Sequence, residues 1–218
     1  MAHNLVKLSG ILYDLGERAR RDTWRQNLAW LARALALLPY HRIEYTVCVR
    51  SLAEPLPTAK SQLPVTLRLA TGDDLSRLKG LVAASELAYF RRRLAQGRYC
   101  FMALHDEEPV AYCWATTEVK LGVDNLKIEL RPDDVYIDDT HTFPAHRRKN
   151  IQVALQTYCL EYMKSLGCRR AVLIIEEGNS ASGRLFGKLG YKEIDHLSFR
   201  RILWKRVYHF EHGHFRPG

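Results

Sequence analysis

The 218-residue chain is long enough for one domain with a full hydrophobic core, with or without an extension, and we expect no second enzyme domain. Its 47% hydrophobic content is ordinary for a globular protein. The excess of 33 basic over 24 acidic residues indicates an anionic partner, which leaves open a nucleotide, an acidic carrier protein, nucleic acid or a membrane surface. Neither a signal peptide nor a transmembrane span is expected.

The cysteines are odd in number and form no closely spaced pair of the kind that binds metals. They are Cys48, Cys100, Cys113, Cys159 and Cys168. Reduced thiols of this kind are typical of a reducing compartment. We therefore expect a soluble, cytoplasmic protein.

Residues 1–64 are predicted to form an N-terminal extension. Apolar residues recur at helical spacing over residues 18–38, before Pro39, so we expect an amphipathic helix there. This helix packs on the domain or on a partner subunit, as in a homodimer, or lies on a membrane surface. An extra strand is expected over 42–49, followed by a proline-rich linker over 51–64.

The main domain is expected over residues 65–218. Residues 65–69 predict its first strand. Thr71 and Asp74 then have the spacing of a capping box, which predicts the start of a helix whose buried face continues to Val82.

A second helix is expected over residues 86–96, and its run Arg91–Arg93 is typical of a solvated helix face. Residues 99–104 and 110–117 predict a hairpin. Residues 118–134 predict an insertion or a longer hairpin.

A basic turn connects the next predicted strand, Val135–Thr142, to a long amphipathic helix that begins near Ile151 and is closed by Gly167. The turn contains the cationic run Arg147–Lys149. A helix that begins just after basic residues presents unpaired backbone amides and the positive end of its dipole, which are the groups that bind a diphosphate. The sequence therefore predicts a pyrophosphate-binding strand, loop and helix.

A second signature follows about forty residues later. The apolar run Ala171–Glu176 predicts a buried strand, and Asn179–Tyr191 consists of an asparagine, a short helical stretch and the sequence Lys-Leu-Gly-Tyr. One further strand is expected over residues 197–208.

The two signatures resemble those of the GNAT acyltransferase superfamily. Residues Arg147–Gln152 occupy the loop of its motif A, which reads Arg or Gln, two variable residues, Gly, one variable residue, then Gly or Ala. Asn150 and Gln152 stand at the two customary small positions. Asparagine tolerates unusual backbone angles, whereas glutamine at the second position would crowd a close-lying phosphate. Asn179–Tyr191 resembles the second signature, and the resemblance covers roughly residues 65–196.

The resemblance implies an α/β fold of the three-layer α+β kind. Its mixed, mostly antiparallel sheet splays between the fourth and fifth strands of the family and is flanked by helices, here with the N-terminal helical extension. It also implies that acetyl-CoA or another acyl-CoA binds as co-substrate. The cofactor-binding positions carried over are Thr142, Arg147, Arg148, Lys149, Asn150, Ile151, Gln152, Asn179, Ser182 and Phe186.

Acyl transfer to an amine requires a group that removes a proton from the amine. Asp138 is the first candidate, with Tyr136 on the same face, because strand alternation is expected to send Asp138 and Asp139 to opposite faces. Both aspartates could instead face solvent or bond neighbouring strands. His141 is the other candidate, since its ordinary pKa suits proton removal near neutrality, although a strand histidine is often structural.

The resemblance also bears on how the thiolate departs. The superfamily often has a tyrosine at the position of Phe186, and phenylalanine cannot donate a proton. The thiolate therefore leaves unassisted, or Ser182 or Tyr158 protonates it. Asn179 contacts the pantetheine arm or only caps the following helix.

The sequence thus predicts transfer of an acetyl or other acyl group from acyl-CoA to a primary amine, on a small molecule or a protein, by direct transfer. Two alternatives remain open: a donor chain carried by acyl carrier protein, and a degenerate fold that binds a ligand, protein or RNA without catalysis. Nucleic acid is disfavoured because basic residues are scattered rather than interleaved with exposed aromatics. The histidines of 209–214 are typical of a solvated end, so no metal is expected.

Overall fold

The computed structural model describes residues 40–58, 60–118, 120–123, 126–202 and 205–212. The helix predicted over residues 18–38 and the end of the histidine-containing tail, from residue 213, lie outside the described residues. The strands are β1 Tyr40–Ser51, β2 Thr66–Leu69, β3 Tyr99–His105, β4 Glu108–Thr116, β5 Lys120–Val123, β6 Leu126–Glu129, β7 Asp134–Thr142, β8 Arg170–Glu176, β9 Lys192–Ile202 and β10 Lys205–Phe210. The helices are α1 Gly72–Ser76, α2 Ala84–Ala95, α3 Ile151–Ser165 and α4 Ser180–Lys188, with one 3-10 turn at Pro144–His146.

The chain divides into two compact units. The first comprises Met1–Arg42 and Arg200–Val207, of which the structure describes only the ends of strands. The second comprises Ile43–Phe199 and Tyr208–Gly218 and contains all four described helices. The clefts and ion pairs described below lie in the second unit.

The main sheet has eight strands in the order β10-β9-β1-β8-β7-β4-β3-β2, and β5 and β6 form a separate two-stranded sheet. The pairs β2/β3, β3/β4, β4/β7 and β1/β8 are antiparallel, whereas β7 and β8 are parallel. The fold is therefore the mixed, mostly antiparallel α/β architecture predicted from the sequence.

Helices cover both faces of the sheet because its central strands are apolar on both sides. In β4, Ala111 and Cys113 pack in a cluster with residues of α3 and α4. Tyr112 and Trp114 pack in a different cluster with residues of α1 and α2. Since successive side chains of a strand point to opposite faces, α3 and α4 lie on one face and α1 and α2 on the other.

The parallel strands β7 and β8 pair over a short length only. Paired residues run from Asp134 to Tyr136 on β7 and from Arg170 to Val172 on β8. β7 then continues to Thr142 with no further partner on β8 among the described residues, while β8 remains paired with β1. The strands therefore splay at the position expected between the family's fourth and fifth strands.

Several local predictions are confirmed. Thr71 and Asp74 form both hydrogen bonds of a capping box at the start of α1. The hairpin of β3 and β4 turns at Asp106 and Glu107, both with positive φ, and the stretch 118–134 contains the hairpin of β5 and β6. The five cysteines are buried and free. No described helix has the length and apolar character needed to cross a bilayer.

Two predictions about elements were wrong. α1 ends at Ser76 instead of continuing towards Val82, because the chain turns at Arg77 and reaches Gly80 with a φ of 88°. The single strand predicted over residues 197–208 is two strands, β9 and β10. The division predicted at residue 64 stays a prediction, although β1, placed in the extension, belongs to the main sheet beside β8.

Gly190, between α4 and β9, is one position where only glycine fits. Its φ is 77°, and a Cβ atom there would collide with the guanidinium of Arg50, a buried side chain. We expect Gly190→Ala to lower the free energy of unfolding in urea by about 1–3 kcal/mol, from backbone strain and overpacking.

Gly183→Ala is the matched control, since Gly183 lies within α4 with no heavy atom within 4 Å of its Cβ position. A helical glycine replaced by alanine should gain about 0.5–1 kcal/mol. Equal effects of the two substitutions would contradict this account of Gly190.

Candidate functional site

The loop between β7 and α3 lines a concave surface, and two of its residues have a left-handed backbone conformation. Arg148 has a φ of 64° and Asn150 a φ of 55°. Asparagine is the non-glycine residue that accepts this conformation most readily, so Asn150 can adopt it at the position of motif A's glycine. Arg147 donates from Nε to the carbonyl oxygen of Thr142 over 3.1 Å, which places its guanidinium beside the end of β7.

The N-terminus of α3 is left without a capping side chain. Asn150 makes no cap hydrogen bond, and the first intrahelical bond between backbone groups runs from Ala154 N–H to Asn150 C=O. The amides of residues 151–153 are therefore free of helical partners, and the dipole of this fifteen-residue helix adds positive potential. Such a helix start binds an anion.

Gln152 points away from the loop. Its Oε1 accepts from Thr142 Oγ1 over 2.9 Å, and its Nε2 donates to the Tyr112 carbonyl over 3.4 Å. One turn later, the fully buried Gln156 donates to Thr140 Oγ1 over 3.0 Å. The expectation that Gln152 would crowd a phosphate was therefore wrong, because its side chain bonds the end of β7 and β4 instead. Gln152 and Gln156 both link the end of β7 to α3.

The splay between β7 and β8 opens into a cleft of about 560 Å³. Its walls come from the end of β7, the loop, the start of α3 and the start of α4. The lining residues are Thr140, His141, Thr142, His146, Arg147, Arg148, Asn150, Ile151, Gln152, Val153, Asn179, Ala181, Ser182, Arg184, Leu185 and Lys188. The lining contains four arginine and lysine side chains and no carboxylate, so the cleft is shaped and charged for a large anion.

Most of the predicted cofactor-binding residues meet in this cleft, from the two separate signatures of the sequence. Lys149 and Phe186 do not line it. Phe186 is buried in the core, with its ring edge-on to Tyr191 at 5.3 Å between centroids. Asn179 lines the cleft and also caps α4, since its Oδ1 accepts from Ser182 N–H over 3.1 Å.

His141 lies at the mouth of the cleft, towards the face covered by α2. Its ring stacks on Tyr112, with 5.4 Å between centroids and 23° between planes, and Phe143 packs against its edge. Burial lowers the pKa of His141 below its ordinary value, the Arg147 guanidinium lowers it further, and Glu86 opposes the shift. The imidazole is therefore neutral at pH 7 and able to accept a proton.

Both aspartates of β7 bind one buried cation. The Arg93 side chain, 1% exposed, donates to Asp138 Oδ1 over 2.6 Å and to Asp139 Oδ2 over 3.1 Å, and its guanidinium lies 4.3 Å from the centre of the Trp114 ring. The prediction that Arg91–Arg93 is a wholly solvated face was therefore wrong at Arg93. The prediction of opposite faces for Asp138 and Asp139 was also wrong.

The reason is a bulge in β7. Tyr112 of β4 pairs with His141, but Trp114 pairs with Asp138, so two residues of β7 stand opposite one residue of β4. Asp139 has a φ of 45°, which directs its carboxylate to the same side as Asp138. Such a bulge bends the strand that contains it. In β7 the bulge follows shortly after the last residue that pairs with β8.

Asp138 and Tyr136 are not brought to the cleft. Asp138 is engaged by Arg93, and Tyr136 is buried in a cluster with Val47 and Val172. The structure instead adds a residue that sequence reasoning missed. Glu86, in the first turn of α2, accepts from the Tyr112 hydroxyl over 3.3 Å. Burial raises the pKa of Tyr112, with Asp139 and Glu86 contributing, so the phenol stays protonated.

Residues 73–191 match the model of the acetyltransferase (GNAT) family. This is more than half of the chain, which therefore belongs to the GNAT family. Membership supports acyl transfer in general. No functionally curated protein matches the sequence.

Solved structures with the same fold include proteins of different sources. A tandem GNAT protein from the clavulanic acid biosynthesis pathway is 17% identical, with a TM-score of 0.56 over 83% of this chain and 57% of that chain. A GCN5-related N-acetyltransferase from Sphaerobacter thermophilus is 13% identical, with a TM-score of 0.54 over 79% and 56%. A Drosophila protein is 12% identical, with a TM-score of 0.54 over 83% and 58%. The chain thus spans less than two thirds of each of these three structures, and the likeness shows the fold.

The buried ion pairs of Arg93 lead to a stability prediction. Arg93→Met removes the cation from two carboxylates and should lower the free energy of unfolding by about 3–5 kcal/mol, measured by urea denaturation. Arg91→Met, on the exposed side of the same helix, should change it by no more than about 0.5 kcal/mol.

Arg93→Lys separates the effect of charge from that of geometry. Lysine retains the charge without the planar fork that reaches both carboxylates, so its loss of stability should be smaller than that of methionine. If Arg93→Met and Arg91→Met were equally stable, Arg93 would not be holding the bulge.

Proposed function

We propose that the protein is an N-acyltransferase that transfers an acetyl or other acyl group from acyl-CoA directly to a primary amine. The observation that carries this proposal is the cleft at the splay of β7 and β8, where the uncapped start of α3 and four cationic side chains surround one space. These groups fit a pyrophosphate, which accepts hydrogen bonds from amides and guanidinium groups. Arg147 and Arg148 would neutralise its charge.

The end of β7 supplies the group that would stabilise the reacting carbonyl. Phe143 N–H donates to Val110 C=O on β4, whereas the Thr142 carbonyl accepts from Arg147 on the cleft side. Since the N–H and C=O of one strand residue point to the same side, the Thr142 N–H also faces the cleft. It would donate to the thioester oxygen as negative charge develops there.

His141 is the base we favour. An acceptor amine arrives as an ammonium ion, and the neutral imidazole would remove its proton before the nitrogen attacks the carbonyl carbon. The carbon–nitrogen bond then forms while the carbon–sulfur bond breaks. The attacking nitrogen loses its second proton to solvent, and the thiolate of CoA departs and takes up one proton. Phe186 cannot protonate this thiolate; of the two hydroxyl groups considered, Ser182 lines the cleft, whereas Tyr158 packs against Phe101.

Binding of the donor is the first test. Calorimetry with acetyl-CoA, a long-chain acyl-CoA and free CoA should show saturable binding to the wild-type chain. The double variant Arg147→Ala with Arg148→Ala should bind at least about tenfold more weakly, because two charge-assisted contacts are lost. Arg91→Ala removes an exposed arginine of α2 that does not line the cleft and should leave the affinity unchanged.

The preferred acyl chain would then define the donor class. Absence of binding to all three compounds, with salt-sensitive association of acyl carrier protein, would replace the CoA donor by a carrier-bound chain. If the protein bound neither the CoA compounds nor acyl carrier protein, a non-catalytic binding function would replace the proposed acyl transfer.

The pH dependence of turnover tests His141. The pKa of its imidazole is lowered from 6.5, so the base form is present at neutral pH and is lost as the pH falls through the lowered pKa. With an acceptor found by an amine screen, turnover at subsaturating donor and acceptor, which reports the free protein, should fall on an acid limb whose midpoint lies below 6.5. Arg147→Gln should move this midpoint up and Glu86→Gln should move it down, because Arg147 lowers the pKa and Glu86 raises it.

His141→Gln should abolish the acid limb along with most of the turnover, by roughly 10²–10⁴-fold. A midpoint that does not move in either neighbouring variant would exclude His141 as the titrating base.

A further inference from the structure

A second cavity, of about 340 Å³, lies at the opposite end of β7 from the proposed CoA cleft. It is formed where β7 and β8 begin, where β1 ends and where β9 begins, all within the second unit of the chain. The cleft uses the last residues of β7, whereas this cavity uses its first residue, Asp134. The two spaces are therefore separate.

The cavity contains a buried cation without a counter-ion. Arg50, 4% exposed, donates from its two terminal nitrogens to the carbonyl oxygens of Leu189 and Pro55. Among the described residues it forms no ion pair, and its Nε has no hydrogen-bond partner. Carbonyl groups satisfy donors but leave the charge uncompensated, and a buried charge is costly unless an opposite charge lies near it.

The one buried carboxylate of the lining is already neutralised. Asp134, fully buried, accepts from Arg170 Nε over 2.7 Å and from Arg170 Nη2 over 2.6 Å. It also accepts from the backbone N–H of Arg131 over 3.0 Å. The guanidinium of Arg170 therefore neutralises the Asp134 carboxylate, and Asp134 does not balance the charge of Arg50.

Three further cations stand at the rim of the cavity. Arg131, Arg169 and Lys192 are exposed, and none of them forms an ion pair in the part of the chain that the structure describes. Against Arg50 and these three, the remaining carboxylates of the lining are Glu54 and Asp133. The lining therefore keeps a net positive charge, concentrated on guanidinium and ammonium groups.

We infer that this second cavity binds a phosphate group, free or carried by a small molecule. A phosphate dianion supplies the missing countercharge, and its oxygens match the planar donors of arginine. The space is at the small end of the range for ligand sites, which fits a phosphate or a small phosphate monoester rather than a nucleotide.

The test measures phosphate binding after two of the four cations of the CoA cleft have been removed. Inorganic phosphate and glycerol phosphate are titrated by calorimetry, at constant ionic strength, into the full chain carrying Arg147→Ala and Arg148→Ala. Saturable binding of at least one of them is expected, and the two compounds distinguish free phosphate from a monoester. Adding Arg169→Gln and Lys192→Gln, both exposed and tolerant of substitution, should weaken it at least about tenfold.

A matched variant with Arg91→Gln and Arg92→Gln removes the same amount of charge from α2 and should not change the affinity. The inference is overturned if neither compound binds, or if both pairs of substitutions weaken binding equally, since general electrostatic attraction would then explain it. It is independent of the proposed acyl transfer, because the readout requires neither CoA nor turnover.

Discussion

The early separation of β7 from β8 is the constraint on which the rest of the site depends. The two strands share pairing over Asp134–Tyr136 only, and then β7 bends at a bulge centred on Asp139. The bend would leave the end of β7 without support, because a strand edge needs partners for its backbone groups. β4 supplies them on one side, and the side chains of Gln152 and Gln156 anchor Thr142 and Thr140 to α3.

The splay also divides the site electrostatically. On the side of α3 and α4, the cleft lining carries cations from Arg147, Arg148 and two residues of α4. On the side of α2, Glu86 stands near His141. In the proposed reaction, an anionic donor and a cationic acceptor would be attracted to opposite faces of the same opening.

Much of this could be predicted from the sequence, because the informative signals are local. The sequence contains a basic turn before an amphipathic helix and, later, an asparagine before a short helix. Residues of both signatures were predicted to bind the cofactor, and most of them lie in one cleft. The capping box at Thr71 and the hairpin of β3 and β4 are local as well. Signals of this kind involve residues only a few positions apart, so no knowledge of tertiary contacts is needed.

The remainder required tertiary contacts. Arg93 lies in a run of three arginines whose composition is typical of a solvated face, and only its position above Trp114 shows that it is buried. Strand alternation separates Asp138 from Asp139 unless one of them has a positive φ, which no sequence pattern around β7 indicates. The direction of Gln152 depends on a partner, Tyr112, that lies 40 residues earlier in the chain.

The position of β1 has a consequence for how the protein acquires its structure during synthesis. β1 is made before the central strands, yet it pairs with β8, in a register that joins Ser51 to Arg170 and Tyr45 to Glu176. Its hydrogen-bonding edge must wait until β8 has emerged from the ribosome, and pairing between such distant segments is slow. The nascent chain therefore passes through a period in which the edge of β1 is unpaired, and an unpaired strand edge is a template for pairing with another molecule.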